Sequence, residues 1–352
     1  MSLSQRLIVP RLIQIRQQIT AVETIKKITH AMRLISMSSH SRMRGLQEPL
    51  ATYTNLINSF FSRILQYAPD WTHPLMSPDQ NTPALIIAVG SQKSLCGSFN
   101  VNLMHYLQST INAINLKHAS ALNFTNNPTN QTNQTNPNNT PNINNQNNIR
   151  NISNTGYAYQ AGNINTTVPY HLIVIGQRLI EMVNESNMVI HSTHPQFSQL
   201  NLNSLTHTLS DLISHTVPTY QSATIICNTG KSFFLQRPHS VQLVPLIPKT
   251  APISSTSSTR PDIGNHPDAQ EYLWYHSAEQ ILSKLIDQYL EAHIYHTLFE
   301  SLLAEHAARF ISMDSSTRNA QSLLDKAKSE YNKVRQAKIT KELNELTSSY
   351  SS

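Results

Sequence analysis

Glycine is scarce in this 352-residue chain, which holds only 8, and from Asp268 to the C-terminus there is neither glycine nor proline. Nothing in the covalent chemistry of that stretch forces a helix to stop. Charged residues make up only 13%, while Asn and Ser are plentiful, a bias of composition rather than of chemistry. Cysteine is limited to Cys96 and Cys227. Two cysteines exclude a disulfide framework, their spacing offers no zinc site, and a reducing compartment is the default. No apolar run approaches the roughly 20 residues of a membrane span, and no signal-peptide core precedes a small-residue cleavage site. A soluble or membrane-peripheral protein is expected.

Acid is absent from the first 22 residues, which carry Arg6, Arg11 and Arg16. A basic helix start accounts for them more simply than an organelle-targeting signal. Residues 1–50 hold eight Lys or Arg against Glu23 and Glu48, so the whole net charge of +6 is concentrated there. A positive first helix seeks an acidic surface. Nucleic acid is one such surface, but no stacking aromatics interleave the charges and no reading motif is present.

What is there begins at the C-terminal end. Phe310, Met313, Thr317, Ala320, Leu324, Ala327, Tyr331, Val334 and Lys338 alternate by three and four without a break. That is a coiled-coil seam. A helix of roughly 75 residues at about 1.5 Å each would be on the order of 110 Å long and must project from any compact domain. Thr317, Ala320 and Ala327 are small enough to let a second helix come close. The first helix supplies it, with Leu12, Ile15, Ile19, Val22, Ile25, Ile28, Met32 and Ile35 at similar spacing, irregular around Ile25. Pro10 is read as its opener and Gly45 with Pro49 as an interruption, helix resuming over 53–67.

Between these ends the pattern changes. Residues 84–89 and 170–175 are continuous apolar runs of strand length, and 223–227 and 240–246 read as further strands. Helical patterns fall at 101–114, 178–183 and 202–213. Strands alternating with helices predict a small, mainly parallel α/β sheet. Residues 123–167 contain 17 Asn in 45 and cannot bury enough apolar surface to order themselves, so a disordered insertion is expected. The organisation read from the chain is a helix over 1–68, an α/β domain over 69–248, a linker over 249–267 and a second helix over 268–352.

Several groups imitate chemistry. Gly230, Lys231 and Ser232 echo the end of a phosphate loop, but Ile225 stands where its first glycine belongs. The loop 90–97 has the wrong spacing as well. His293 and His296 lie three apart on a helix without a third ligand, and His191 and His194 are similar; a surface face is expected for both pairs. Cys96 lacks an ordered His and acid and reads as a buried small thiol. No catalytic residue, cofactor or metal is expected.

Three stretches together resemble the gamma subunit, the central stalk, of rotary ATP synthases. The C-terminal one is the most specific: Glu305 to Arg309 (EHAAR), then Met313, Asp314, Thr317, Asn319 and Ala320. Tyr331 and Asn332 follow, leading into Arg335, Gln336, Ala337, Ile339, Thr340, Glu342 and Leu343. Near the start, Ile19, Val22, Lys27, Ile28, Thr29, Ala31 and Met32 match the opening helix. Leu95, Cys96 and Gly97, with Asn100 and Asn102, match a central signature. Gln92, Lys93 and Ser94 replace the family's acid, arginine and glycine, Ser98 replaces a glycine, and the small-residue tail is replaced by 348–352. The insertion has no cysteine, so the redox switch of the chloroplast kind is absent.

The resemblance implies an α/β fold with a long antiparallel coiled coil of the two terminal helices and a small, mainly parallel α/β sandwich domain. It implies a rotor shaft inside a ring of alternating alpha and beta subunits, with the epsilon subunit and the membrane c-ring at its base. Such a subunit catalyses nothing by itself and transmits torque from the proton-driven ring. Its place would be the cytoplasmic side of a bacterial inner membrane, or the matrix side in a mitochondrion. Arg335, Gln336, Thr340 and Glu342 fall where the family makes polar contacts to the beta subunit. Met32, Arg33, Lys26 and Lys27 fall where the first helix meets acidic beta-subunit loops, and Arg42 and Arg44 are candidates for the same surface. The competing class is a non-catalytic coiled-coil scaffold binding an acidic partner or nucleic acid.

Overall fold

The computed structural model describes residues 5–79, 82–125, 169–186, 188–216, 220–246 and 275–350. The linker 249–267, and the Asn-rich stretch from residue 126 on, lie outside the described residues; residues 123–125 belong to a helix.

Two helices form the frame. α1 (Gln5–Leu65) has 61 residues and α5 (Ala278–Tyr350) has 73, so they extend about 90 and 110 Å at 1.5 Å per residue. They run antiparallel, because residues rising along α1 meet residues falling along α5: Arg11 with Glu330, Lys26 with Gln321, Arg33 with Asp314, Gln47 with Glu300, and Asn58 with His293. The C-terminal seam forms as its spacing requires. Met313, Thr317, Ala320, Leu324 and Ala327 are all buried, and Tyr331, Val334 and Lys338 are half-buried toward the tip.

α1 corrects the reading of its apolar spacing in two ways. It is continuous, with Pro10 and Pro49 inside it, rather than opened by one and interrupted at the other. Pro49 removes the hydrogen bond to the Gly45 carbonyl, but Met43, Ile57, Phe61 and Ile64 are buried on either side and hold the helix through the gap. The seam also differs. Ile25, Ile28 and Ile35 are exposed by 53, 54 and 66%. The inward register runs instead through Val22, Lys26, Thr29, Arg33, Ser36, His40, Met43 and Gln47, a strict three-four alternation one residue away. Its middle is polar. Thr317 Oγ1 donates to Thr29 Oγ1 at 3.0 Å, and Lys26 and Arg33 reach Gln321 and Asp314.

The sheet lies against the lower half of this coil. β1 (Ala84–Val89), β2 (Tyr170–Ile175), β3 (Ser192–His194), β4 (Ser222–Ser232) and β5 (Leu235–Val244) take the order β3-β2-β1-β4-β5. The first four are mutually parallel and β5 is antiparallel to β4. β1 is buried on both faces, which explains its unbroken apolar run. Ala84, Ile86 and Ala88 face a layer with α2 (Phe99–Thr125) and α3 (Gln177–Glu185). Leu85, Ile87 and Val89 face α4 (Leu202–Thr216), lower α1 and α5. The coil is thus one wall of the domain core.

Two strand ends meet through glycine. Gly90 N donates to Ile175 O at 2.9 Å, and Gly176 sits at φ 97° with no room for a Cβ, which would lie 2.5 Å from the Gly90 carbonyl oxygen. β4 and β5 form a hairpin whose strands extend well beyond the expected 223–227, and whose second strand begins at Leu235 rather than 240.

Candidate partner-binding surface

The coil is tied to the sheet by the central signature. In the loop after β1, Ser91 N donates to Asn100 Oδ1 at 3.0 Å, and Asn100 Nδ2 donates to Ser91 Oγ at 2.7 Å. Asn228 Nδ2 from β4 donates to Phe99 O at 3.0 Å. Leu95 is held at φ 72°, a left-handed conformation that a branched side chain adopts only under constraint. The constraint is α5. Arg309 donates to Lys93 O and Ser94 O at 3.4 and 3.5 Å and to Glu305 Oε1. Cys96 packs with Phe99 against Ala304 and Ala308. The motif residues therefore act as a latch between domain and shaft.

The latch is electrostatically unusual. Burial holds the Glu305 carboxyl above the usual carboxylate range even with the Arg309 guanidinium against it. Burial, assisted by Arg309, His40 and Lys93, holds His306 down to about 4, so it is neutral. Burial pushes the Cys96 thiol up to about 11, a poor nucleophile and, as expected, a packing group.

The residues singled out for partners divide into two sets. Lys26 donates to Gln321, and Arg33 Nη1 lies 2.7 Å from Asp314 Oδ1, so both are used across the coil. Met32 is half-buried beside them, and Lys27 is exposed. At the other end of the shaft, Arg335, Gln336 and Thr340 are exposed, and Glu342 is exposed with Lys338 at 3.5 Å. Arg335, Gln336, Ile339, Thr340 and Leu343 share one helix face. Ile339 and Leu343 are exposed by 43 and 58%. The sequence counts Ile339 and Leu343 only as motif residues without a role, and its apolar spacing assigns Ile25, Ile28 and Ile35 to the seam rather than to this outer face. The signal was the irregularity at Ile25, where apolar spacing leaves the heptad begun by Ile15, Ile19 and Val22.

Gly230, Lys231 and Ser232 end a strand rather than open a helix, so no phosphate loop forms. His293 is half-buried and bonded through Nε2 to Asn58 Oδ1 at 2.7 Å, which corrects the reading of a surface face. His191 stacks flat on His171 with centroids 4.7 Å apart. Among the described residues no group of three or more His, Cys, Asp or Glu can hold a metal, and no helix is long and apolar enough to cross a membrane.

A protein-family model described as ATP synthase matches residues 11–126 and 143–352. The ATP synthase gamma chain of Variovorax paradoxus is 24% identical over 337 residues, covering 95% of this chain and 96% of that one. Those of Verminephrobacter eiseniae and Histophilus somni are each 26% identical over 343 residues with the same coverage. Among solved structures, the central stalk and c-ring structure of the Tetrahymena thermophila mitochondrial ATP synthase is similar at 13% identity and TM-score 0.44, covering 82% of this chain and 98% of that one. A chain of the Euglena gracilis mitochondrial enzyme is similar at 13% identity and TM-score 0.45, covering 92% and 94%.

Proposed function

Because the chain belongs to the ATP synthase family, in which its curated relatives are gamma chains, we propose that it is the rotor shaft of such an enzyme. It carries torque between a proton-driven membrane c-ring and the nucleotide sites of an alpha and beta ring. The observation that carries this reading is the antiparallel pair α1 and α5, about 110 Å at its longest, with the α/β domain latched to its lower half. The shaft performs no chemistry itself. It lies peripheral to the membrane, on the cytoplasmic side in a bacterium, with the epsilon subunit beside the α/β domain.

The mechanism follows from asymmetry. A two-helix rod presents different faces in different directions, so three beta subunits around it cannot all meet the same surface. Their nucleotide sites are thereby held in different states, and turning the rod exchanges them. The exposed set Arg335, Gln336, Thr340 and Glu342 makes hydrogen bonds that hold and release a beta subunit. Lys27 and Met32 meet its loops lower down, while Lys26 and Arg33 act mainly by fixing the coil that carries them. A tagged chain purified from its native membrane should bring alpha and beta chains with it. Recovery of the chain without them would overturn the reading.

A further inference from the structure

α1, α5 and the turn between β4 and β5 line an open cleft of about 360 Å³. α1 contributes His40, Arg44 and Gln47, and the turn contributes Gly230 through Phe233. Leu303, Ala304 and Ala307 of α5 give it an apolar floor, with Glu300 on the wall. Arg44 and Lys231 are exposed to the cleft and make no ion pair among the described residues. Lys231 sits at an irregularity: the strand register shifts between Gly230 and Ser232, so it has no cross-strand partner. Bulges of this kind re-aim a side chain. The turn is fixed in place, because the Phe233 ring lies edge-on to His40 at 4.8 Å and to Phe310 at 5.3 Å.

We propose that this cleft binds a phosphate group, as hydrogen phosphate or a phosphomonoester. Arg44 and Lys231 supply the charge a dianion needs, and a guanidinium fork matches phosphate oxygens. The Ser232 hydroxyl supplies a further donor. Glu300 has the wrong sign for a general anion trap, and that sets the specificity. Gln47 Nε2 donates to Glu300 Oε1 at 2.9 Å and orients the carboxylate, leaving Oε2 open. Hydrogen phosphate carries an O–H as the dianion, and a phosphomonoester does so only in its singly protonated, monoanionic form; that O–H is what a carboxylate accepts. Sulfate at neutral pH has none and meets only repulsion, a discrimination built from an unfavourable contact. The apolar floor gives an ester carbon somewhere to lie.

The test is calorimetric titration of the full chain with inorganic phosphate, glycerol phosphate and sulfate at matched ionic strength. Saturable phosphate binding is expected, with sulfate weaker by about tenfold or more. Arg44→Gln and Lys231→Gln should each weaken phosphate by about tenfold. Both residues are exposed, so an unchanged melting temperature without phosphate is expected of both variants. Glu300→Gln should narrow the gap between phosphate and sulfate. Tighter binding of glycerol phosphate than of phosphate identifies the ester as ligand, and the reverse identifies the free ion. Absence of saturable phosphate binding, equal affinity for sulfate, or indifference to both cation substitutions would overturn the assignment.

Discussion

Arg33 of α1 and Asp314 of α5 face each other across the coil, Nη1 to Oδ1 at 2.7 Å, although 281 residues separate them in the chain. The Arg33 guanidinium, joined by that of Arg318, holds the Asp314 carboxyl below the usual carboxylate range. The same aspartate thus ties α5 to α1 and to its own next turn.

Removing either side of this pair should lower the melting temperature. Arg33→Ala and Asp314→Asn should each do so, and the double variant should lose less than the two single losses combined. Since the folded pKa of Asp314 is depressed, its contribution is present above the unfolded value and fades as pH falls through the folded one. Additive losses would show that the pair does not couple the helices.

The position of the seam can be tested by contrast. Leu324→Ala removes a buried side chain and should cost about 2–5 kcal/mol. Ala327→Leu overfills the close approach and should cost about 1–3 kcal/mol. Ile28→Ala, on the outward side, should change stability by only about 0.5 kcal/mol. Denaturant melts of the three variants measure this, and a large loss at Ile28 would return it to the seam.

His306, Cys96 and Cys227 each cost stability at one pH extreme, while Glu305, whose carboxyl is held above the usual range, works the other way as pH falls. His306 is held at about 4, so below its ordinary 6.5 the unfolded chain takes up a proton first and stability falls as pH drops toward 4. Cys96 and Cys227 are pushed up to about 11 and 12, so above 9 the unfolded chain loses protons first and stability falls as pH rises. His306→Gln should flatten the acid limb of a melting-temperature profile. Both thiols should resist alkylation at pH 8 until the chain is unfolded.

At the exposed end of α5, replacing Arg335 and Gln336 with Ala should lower ATP synthesis several-fold in the assembled complex. Helicity of the isolated chain should be unchanged, since neither side chain is buried. Undiminished coupled synthesis would remove both from the partner surface.

Much of this architecture was legible in the sequence. The seam from Met313 to Ala327 and the strands at 84–89 and 170–175 formed where their spacing put them, because burial on one or two faces leaves a periodic trace. The α1 seam was misplaced because its middle is polar. Lys26, Thr29, Arg33 and Ser36 face inward, matched by Gln321, Thr317 and Asp314, and apolar counting follows Ile25, Ile28 and Ile35 instead. The short β3 and the long hairpin escaped for another reason. Their residues are mixed and half-exposed, and pairing with a neighbour decides them. The latch was visible only as a string of motif residues, whose contacts join positions more than 200 apart.

The displaced isoleucines of α1 have a mechanical consequence. Within the shaft, directional bonds join α1 to α5, and these resist slipping of one helix along the other. Outside, Ile25, Ile28 and Ile35 offer greasy contact, whose energy depends on area rather than on angle. A surface of that kind glides past successive neighbours with little change in energy, so the axle is stiff in its joint and slick on its flank.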